Sequence, residues 1–295
     1  MQEDSEDKSA GLRRELDEEV LEESALGQPR QGWETLKPGY SWIAHLQNEH
    51  PDYELVSYDG IPWTEFGKAH YEATVALVTT AGVYVRGQKP FAVSSEQLSP
   101  ELVRQKFSGR GDPSFRVIPN SADVRDLWLA RPLLEAGGIE DDINVVFPLE
   151  RLRELEEESF ISAAAAEHLS FMGYLPYPED LEKSSQQVIQ HLKKSNANLV
   201  VLTPGDALSH QSMAVIQRAI EAAGISTISI ALCRDVVEHV GVPRSVHYRF
   251  PFGSTLGDAN DQLIQLHILK DTIRSVETIT EPGTVVELPY EWGEG

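Results

Sequence analysis

Apolar and polar positions along the chain switch between two periods. Apolar runs rich in β-branched residues stand at ATVALVTT (73–80), SFRVIP (114–119) and residues 198–202, 225–231 and 245–250. Short runs of this kind bounded by small or turn-forming residues are the pattern of buried parallel strands. Between them the spacing becomes helical. Leu149, Leu152 and Leu155 recur every three residues beside a charged face, and residues 181–194, 209–223 and 258–279 continue the pattern. A shorter helix is predicted over 235–240, and another over 100–107, where Ser99 caps and Pro100 takes the first helical position. Strands alternating with helices form right-handed βαβ units. The expected fold is therefore a doubly wound α/β domain, with a mainly parallel sheet and helices on both faces, over residues 73–295.

Ahead of that domain the composition changes twice. Residues 1–28 are charged or small, with Glu15, Asp17, Glu18, Glu19, Glu22 and Glu23 crowded together, and read as an acidic mobile tail. Residues 29–72 include WETLKPGYSWIAHLQNEHPDYELVSYDGIPWTEF (33–66), an aromatic segment expected to wrap around the domain and pack on it.

The chain has 295 residues, 41% of them hydrophobic, so it has the material for a sizeable core. Asp and Glu number 47 against 25 Lys and Arg, a formal net charge of −22. Such a surface repels a phosphate backbone and an anionic leaflet, which excludes nucleic acid and membrane surface as expected partners. No run of 18 apolar residues occurs, and the N-terminus lacks a basic and apolar leader, so a cytoplasmic protein is expected. Cys233 is the single cysteine, and no internal disulfide, CxxC pair or thiolate metal cage can form.

Candidate chemistry concentrates where the strand ending at Leu202 meets the next helix. In open α/β sheets ligands bind outside the carboxyl ends of the strands, and the turn TPGDALSHQS (203–212) sits at such an end. A helix start there presents unpaired N–H groups and stabilises an anion. Asp206, Ser209 and His210 are the candidate catalytic residues, although Asp206 and Ser209 are equally suited to capping the helix. His210 at a helix start is a usable neutral general base, and His168 is a further candidate. Thr80, Thr203, Gly205 and Ser212 are candidates for holding a substrate, and Arg244 for clamping its carboxylate. No HxH or HExxH spacing supports a metal, and the residues name no cofactor.

The chain resembles the selenoprotein B family of glycine, sarcosine, betaine and D-proline reductases. The marks are VALVTTAGV (75–83), DPSFRVIP (112–119), NVVFPLERLREL (144–155), EHLSFMGYLP (167–176), VVLTPGD with SHQS (200–212), AGIST (223–227), VPRSV (242–246), FPFG (250–253) and PGTVVELPYEW (282–292). The similarity runs from about Pro62 to the end. It implies a reductase subunit in which a selenocysteine follows the Thr-Pro-Gly turn and a cysteine lies three residues on, the pair cycling through a selenenyl sulfide. Those positions are Asp206 and Ser209 here, and neither residue has a two-electron couple. Many related members also carry a His-x-His-Tyr-Asp stretch before the Asn-Val-Val-Phe-Pro motif, where this chain has ARPLLEAGGIEDDIN (130–144). Two readings follow. The chain is an enzyme that binds a small amino or carboxylic acid and moves protons without redox chemistry, or it is an assembly subunit, homo-oligomeric or docked on a catalytic reductase chain. A third reading is reductase activity with all thiols supplied by a partner.

Overall fold

The computed structural model describes residues 37–50, 53–92, 111–130, 138–173, 175 and 180–293, so the readings on residues 1–28 and 100–107 lie outside the described residues. The chain divides into two compact units, Met1–Tyr40 and Ser41–Gly295, and every element named below lies in the second. Helix α1 (Trp42–Glu49) comes first, then strands β1 (Thr74–Thr79), β2 (Val83–Val85), β3 (Phe115–Pro119) and β4 (Leu127–Leu129). Helix α2 (Leu149–Glu157) leads to β5 (Ala163–Ala164) and β6 (Glu167–Phe171). Regular alternation follows: α3 (Leu181–Lys194), β7 (Leu199–Thr203), α4 (Ser209–Ala222), β8 (Ser226–Ala231), α5 (Arg234–Val240), β9 (Arg244–Arg249), α6 (Gln262–Thr278) and β10 (Thr284–Glu291).

Eight strands form one sheet in the order β10-β9-β8-β7-β1-β6-β3, with β5 also beside β1. Every pair in it is parallel except β3 with β6, and β2 and β4 form a separate antiparallel pair. Alternation along each strand assigns its side chains to two cores. Val75, Leu77, Val201, Ile228, Ile230 and Val246 face α2 and α6. Ala76, Val78, Val200, Leu202 and Leu169 face α3, α4 and α5. Both faces are thus covered, as the strand and helix alternation predicts for a doubly wound α/β fold.

Because seven of these strands are parallel, their carboxyl ends share one edge of the sheet. The loops after β1, β6 and β7 meet there at backbone distance. Thr80 N–H donates to Thr203 carbonyl at 3.0 Å, and Gly82 N–H to Phe171 carbonyl at 2.7 Å. Two glycines make the approach possible. At Gly173, whose φ is +92°, a Cβ would lie 2.2 Å from Thr80 carbonyl oxygen and 2.7 Å from Ser209 Cβ. At Gly205 it would lie 2.8 Å from both Ala81 Cα and Thr80 carbonyl oxygen.

Candidate functional site

The turn between β7 and α4 is closed by its own side chains. Ser209 Oγ accepts from the backbone N–H groups of Gly205 and Asp206, each at 2.9 Å, and donates to the carbonyl of Asp206 at 2.9 Å. A hydroxyl has one proton and two lone pairs, so all three are used. Asp206 returns the bond, since its Oδ1 accepts from Ser209 N–H at 2.8 Å. Ser209 is fully buried, whereas Asp206 is half-buried.

His210 ties this turn to the end of the neighbouring strand. Its Nδ1 stands 2.7 Å from Asp206 carbonyl and therefore donates. Nε2 then accepts, from Leu232 N–H at 3.0 Å and Cys233 N–H at 3.2 Å. Burial holds the imidazole neutral, its pKa lowered to about 4. The general-base expectation for His210 meets a physical obstacle here, because both nitrogens are engaged by the backbone. Cys233, beside it, is fully buried, and burial, Asp235 and Asp206 push its thiol up.

His168 does comparable work on the other side of β1. Its Nδ1 accepts from Leu77 N–H at 3.0 Å, and Nε2 stands 3.2 Å from Asn120 Oδ1. The ring thereby satisfies a β1 donor next to the short pairing of β1 with β6. Burial, with Arg153 adding to it, lowers its pKa to about 3. His168 and His210 thus lie on opposite flanks of the central β1 and β7 strands, and the structure does not bring them together. Among the described residues no three His, Cys, Asp or Glu side chains gather as a metal would require.

Arg244 lies apart from the turn. It opens β9, and a residue that opens a parallel strand lies at the amino edge of the sheet, opposite the turn. Its guanidinium donates to Glu221 Oε1 at 3.0 Å, Thr64 carbonyl at 2.7 Å and Thr227 carbonyl at 3.1 Å, and stacks 3.9 Å over the Trp63 ring. Glu221 lies in the last turn of α4, about 18 Å along the axis from Ser209 at 1.5 Å per residue. The carboxylate that Arg244 clamps is therefore internal. Thr80 and Thr203 are buried at the carboxyl edge, where Thr203 Oγ1 donates to Val146 carbonyl at 2.5 Å. Ser212 is buried in the first turn of α4.

Sequence reasoning missed the residues that cover the turn. Gln211 holds the incoming chain with both ends of its amide, Oε1 accepting from Val56 N–H at 2.7 Å and Nε2 donating to Glu54 carbonyl at 3.0 Å. Tyr53 Oη donates to Leu208 carbonyl at 2.8 Å. A glutamine at the third position of a buried helix start was the available signal. Cavities of about 690 and 680 Å³ lie elsewhere, one beside Tyr58, Pro62 and Arg218, the other beside Trp128, Asp142 and Asn260. Neither is lined by the turn.

No family model and no solved structure matches the chain. Among the described residues no helix is long and apolar enough to cross a membrane. The chain is 35% identical over 231 residues to the D-proline reductase subunit gamma of Acetoanaerobium sticklandii, covering 78% of this chain and 89% of that protein. It is 25% and 22% identical to glycine reductase complex component B subunits gamma of Carboxydothermus hydrogenoformans and Symbiobacterium thermophilum. These two matches cover 83% and 80% of this chain but only 55% and 53% of those proteins, so the chain spans about half their length. The identity and extent of the first match lead to one assignment: the chain belongs to the reductase family that contains the gamma subunits of D-proline reductase and of glycine reductase component B.

Proposed function

We propose that this chain is a non-catalytic gamma-type subunit that assembles with a catalytic reductase chain. One observation carries the reading. At the two positions where the family resemblance puts selenocysteine and cysteine, Asp206 and Ser209 are bonded to each other and to the turn's own backbone. A saturated hydroxyl neither attacks nor orients a substrate, and Cys233 is a buried thiol held protonated. The names of the relatives, each a subunit of a reductase, supply the kind of partner. The test is affinity purification of the tagged chain from its native cell under mild conditions, with mass determination of the assembly. Reductase chains bearing selenocysteine or a redox cysteine are expected in stoichiometric amount. A chain that runs alone, and that cleaves D-proline or glycine with dithiothreitol even as Cys233→Ser, overturns the reading.

The second reading, a non-redox enzyme acting on a small amino or carboxylic acid, keeps one observation in its favour. Asp206 is the half-buried member of the turn, and a carboxylate there would meet an ammonium group favourably. Calorimetric titration with amino acids on the parent and on Asp206→Asn separates the two. Binding in the parent that is lost in the variant supports the enzyme; no binding to either supports the assembly subunit.

A further inference from the structure

The chain that precedes β1 crosses the carboxyl edge of the sheet over the turn. Its first anchor is Asp235, whose Oδ2 accepts from Ser41 Oγ and from Ile43 N–H, each at 3.0 Å, pinning the start of α1 to α5. The Trp42 ring packs against Phe252 with centroids 4.9 Å apart. The second anchor comprises Tyr53 on Leu208 and the Gln211 amide on Glu54 and Val56. Leu46, Tyr53, Ala207, Leu208, Cys233 and Val236 form a small apolar cluster separate from the two main cores.

This arrangement differs from core packing in a way that matters energetically. Helix α1 has eight residues, and Leu46 is its one buried side chain. A helix that short is not stable by itself in water, so it persists only through these contacts. Its opening gives up a satellite cluster, a few hydrogen bonds and the packing of Val56 at the margin of one sheet core, while the fully buried residues of both cores lie outside it. Local openings of such units lie well below the free energy of global unfolding.

We propose that residues 41–50 and 53–56 form a releasable cover over the carboxyl-edge turn. Lifting it uncovers an apolar face made of Ala207, Leu208, Cys233, Val236 and Phe252, next to Asp206. The cover decides whether that face is reachable from solvent. The inference stands apart from the assembly reading, because its test needs neither partner nor substrate.

Cys233 is the built-in reporter, being fully buried beneath the cover and the single thiol in the chain. Labelling of the native full chain with Ellman's reagent is followed over increasing urea, beside the global unfolding rate of the same protein. In the parent, labelling is expected to outpace global unfolding and to depend more weakly on urea, since less surface opens. Tyr53→Phe and Trp42→Ala leave the charges near the thiol untouched, and each is expected to raise the labelling rate by about fivefold or more. Labelling of the parent and both variants only at the rate and urea dependence of global unfolding overturns the cover. Fast labelling that neither variant changes overturns it equally, because the thiol is then reached by another route.

Discussion

A serine hydroxyl has one proton to give and two lone pairs to offer, and Ser209 commits all three inside its own turn. Ser209→Ala leaves two backbone donors unsatisfied in a buried place, each costing about 1–3 kcal/mol. Asp206→Asn keeps an oxygen for Ser209 N–H and should cost under about 1 kcal/mol. Urea unfolding of the two variants measures the difference, and equal losses would contradict the bonding described. The buried histidines make a second prediction. Folded-state values of about 4 for His210 and about 3 for His168 lie below the unfolded value of about 6.5. The unfolded chain therefore binds more protons below pH 6.5, and stability that is complete above that pH is lost as pH falls toward the folded values. Each histidine contributes a slope approaching about 1.4 kcal/mol per pH unit. Urea midpoints at about pH 7.5, 6 and 5 should fall in order, and a flat profile would refute both neutral assignments. At this scale Asp206 was legible as a residue that satisfies a helix-start N–H, because that role is local, whereas Ser209 bonds back into the turn and caps nothing in the helix. The environments of His210 and His168 were not legible, because Leu232, Cys233, Leu77 and Asn120 are brought to them only by the fold. For Arg244 the sequence held the answer: a loop that leads into a parallel strand belongs to the amino edge.

Helix α4 is fixed at both ends by unlike devices. At its start the Ser209 and His210 bonds hold it to the turn and to β8; near its end Glu221, fully buried, meets Arg244, Thr64 N–H and Thr227 Oγ1. Arg244→Met strands a buried carboxylate and is expected to cost about 3–5 kcal/mol, with the Glu221→Leu variant of that protein recovering part of the loss. A double variant no more stable than Arg244→Met alone would mean the charges do not matter to each other. The loops at the carboxyl edge are held by close backbone approach, which Gly173→Ala tests. Its Cβ has Thr80 carbonyl oxygen 2.2 Å away, whereas Gly224, also at positive φ, has nothing within 4 Å. Gly224→Ala should cost about 1–2 kcal/mol for its backbone conformation, and Gly173→Ala far more, read as thermal midpoints. The parallel strands β7, β8 and β9 were legible from their apolar runs. Strand β10 was not, since it carries Glu287, Pro289 and Glu291 as an edge strand does, and edge strands need no apolar run. Strand β6 escaped because EHLSF is short and holds two polar side chains, His168 and Ser170, inside.

At the scale of the molecule, a formal net charge of −22 means that like charges repel across the surface at low ionic strength. Salt screens that repulsion with a Debye length of about 10 Å at 0.1 M, so the thermal midpoint should rise between about 0.02 and 0.5 M sodium chloride. A falling midpoint would show that attractive surface pairs outweigh the net charge. The fold class was readable because alternation of periods is a property of the whole chain, while the cover over the turn was not, because a short aromatic helix carries no address. The position of β1 has a consequence for synthesis. It pairs with β6 and with β7, whose contacting residues lie 91 and 124 positions further along the chain. At about 5–20 residues per second, a ribosome needs roughly 6–25 s to deliver the second of these partners. Until β6 is made the nascent chain carries TVALVT without a neighbour on either side, and until β7 is made one side stays open, so it is during translation, rather than in the finished protein, that this strand most needs a chaperone.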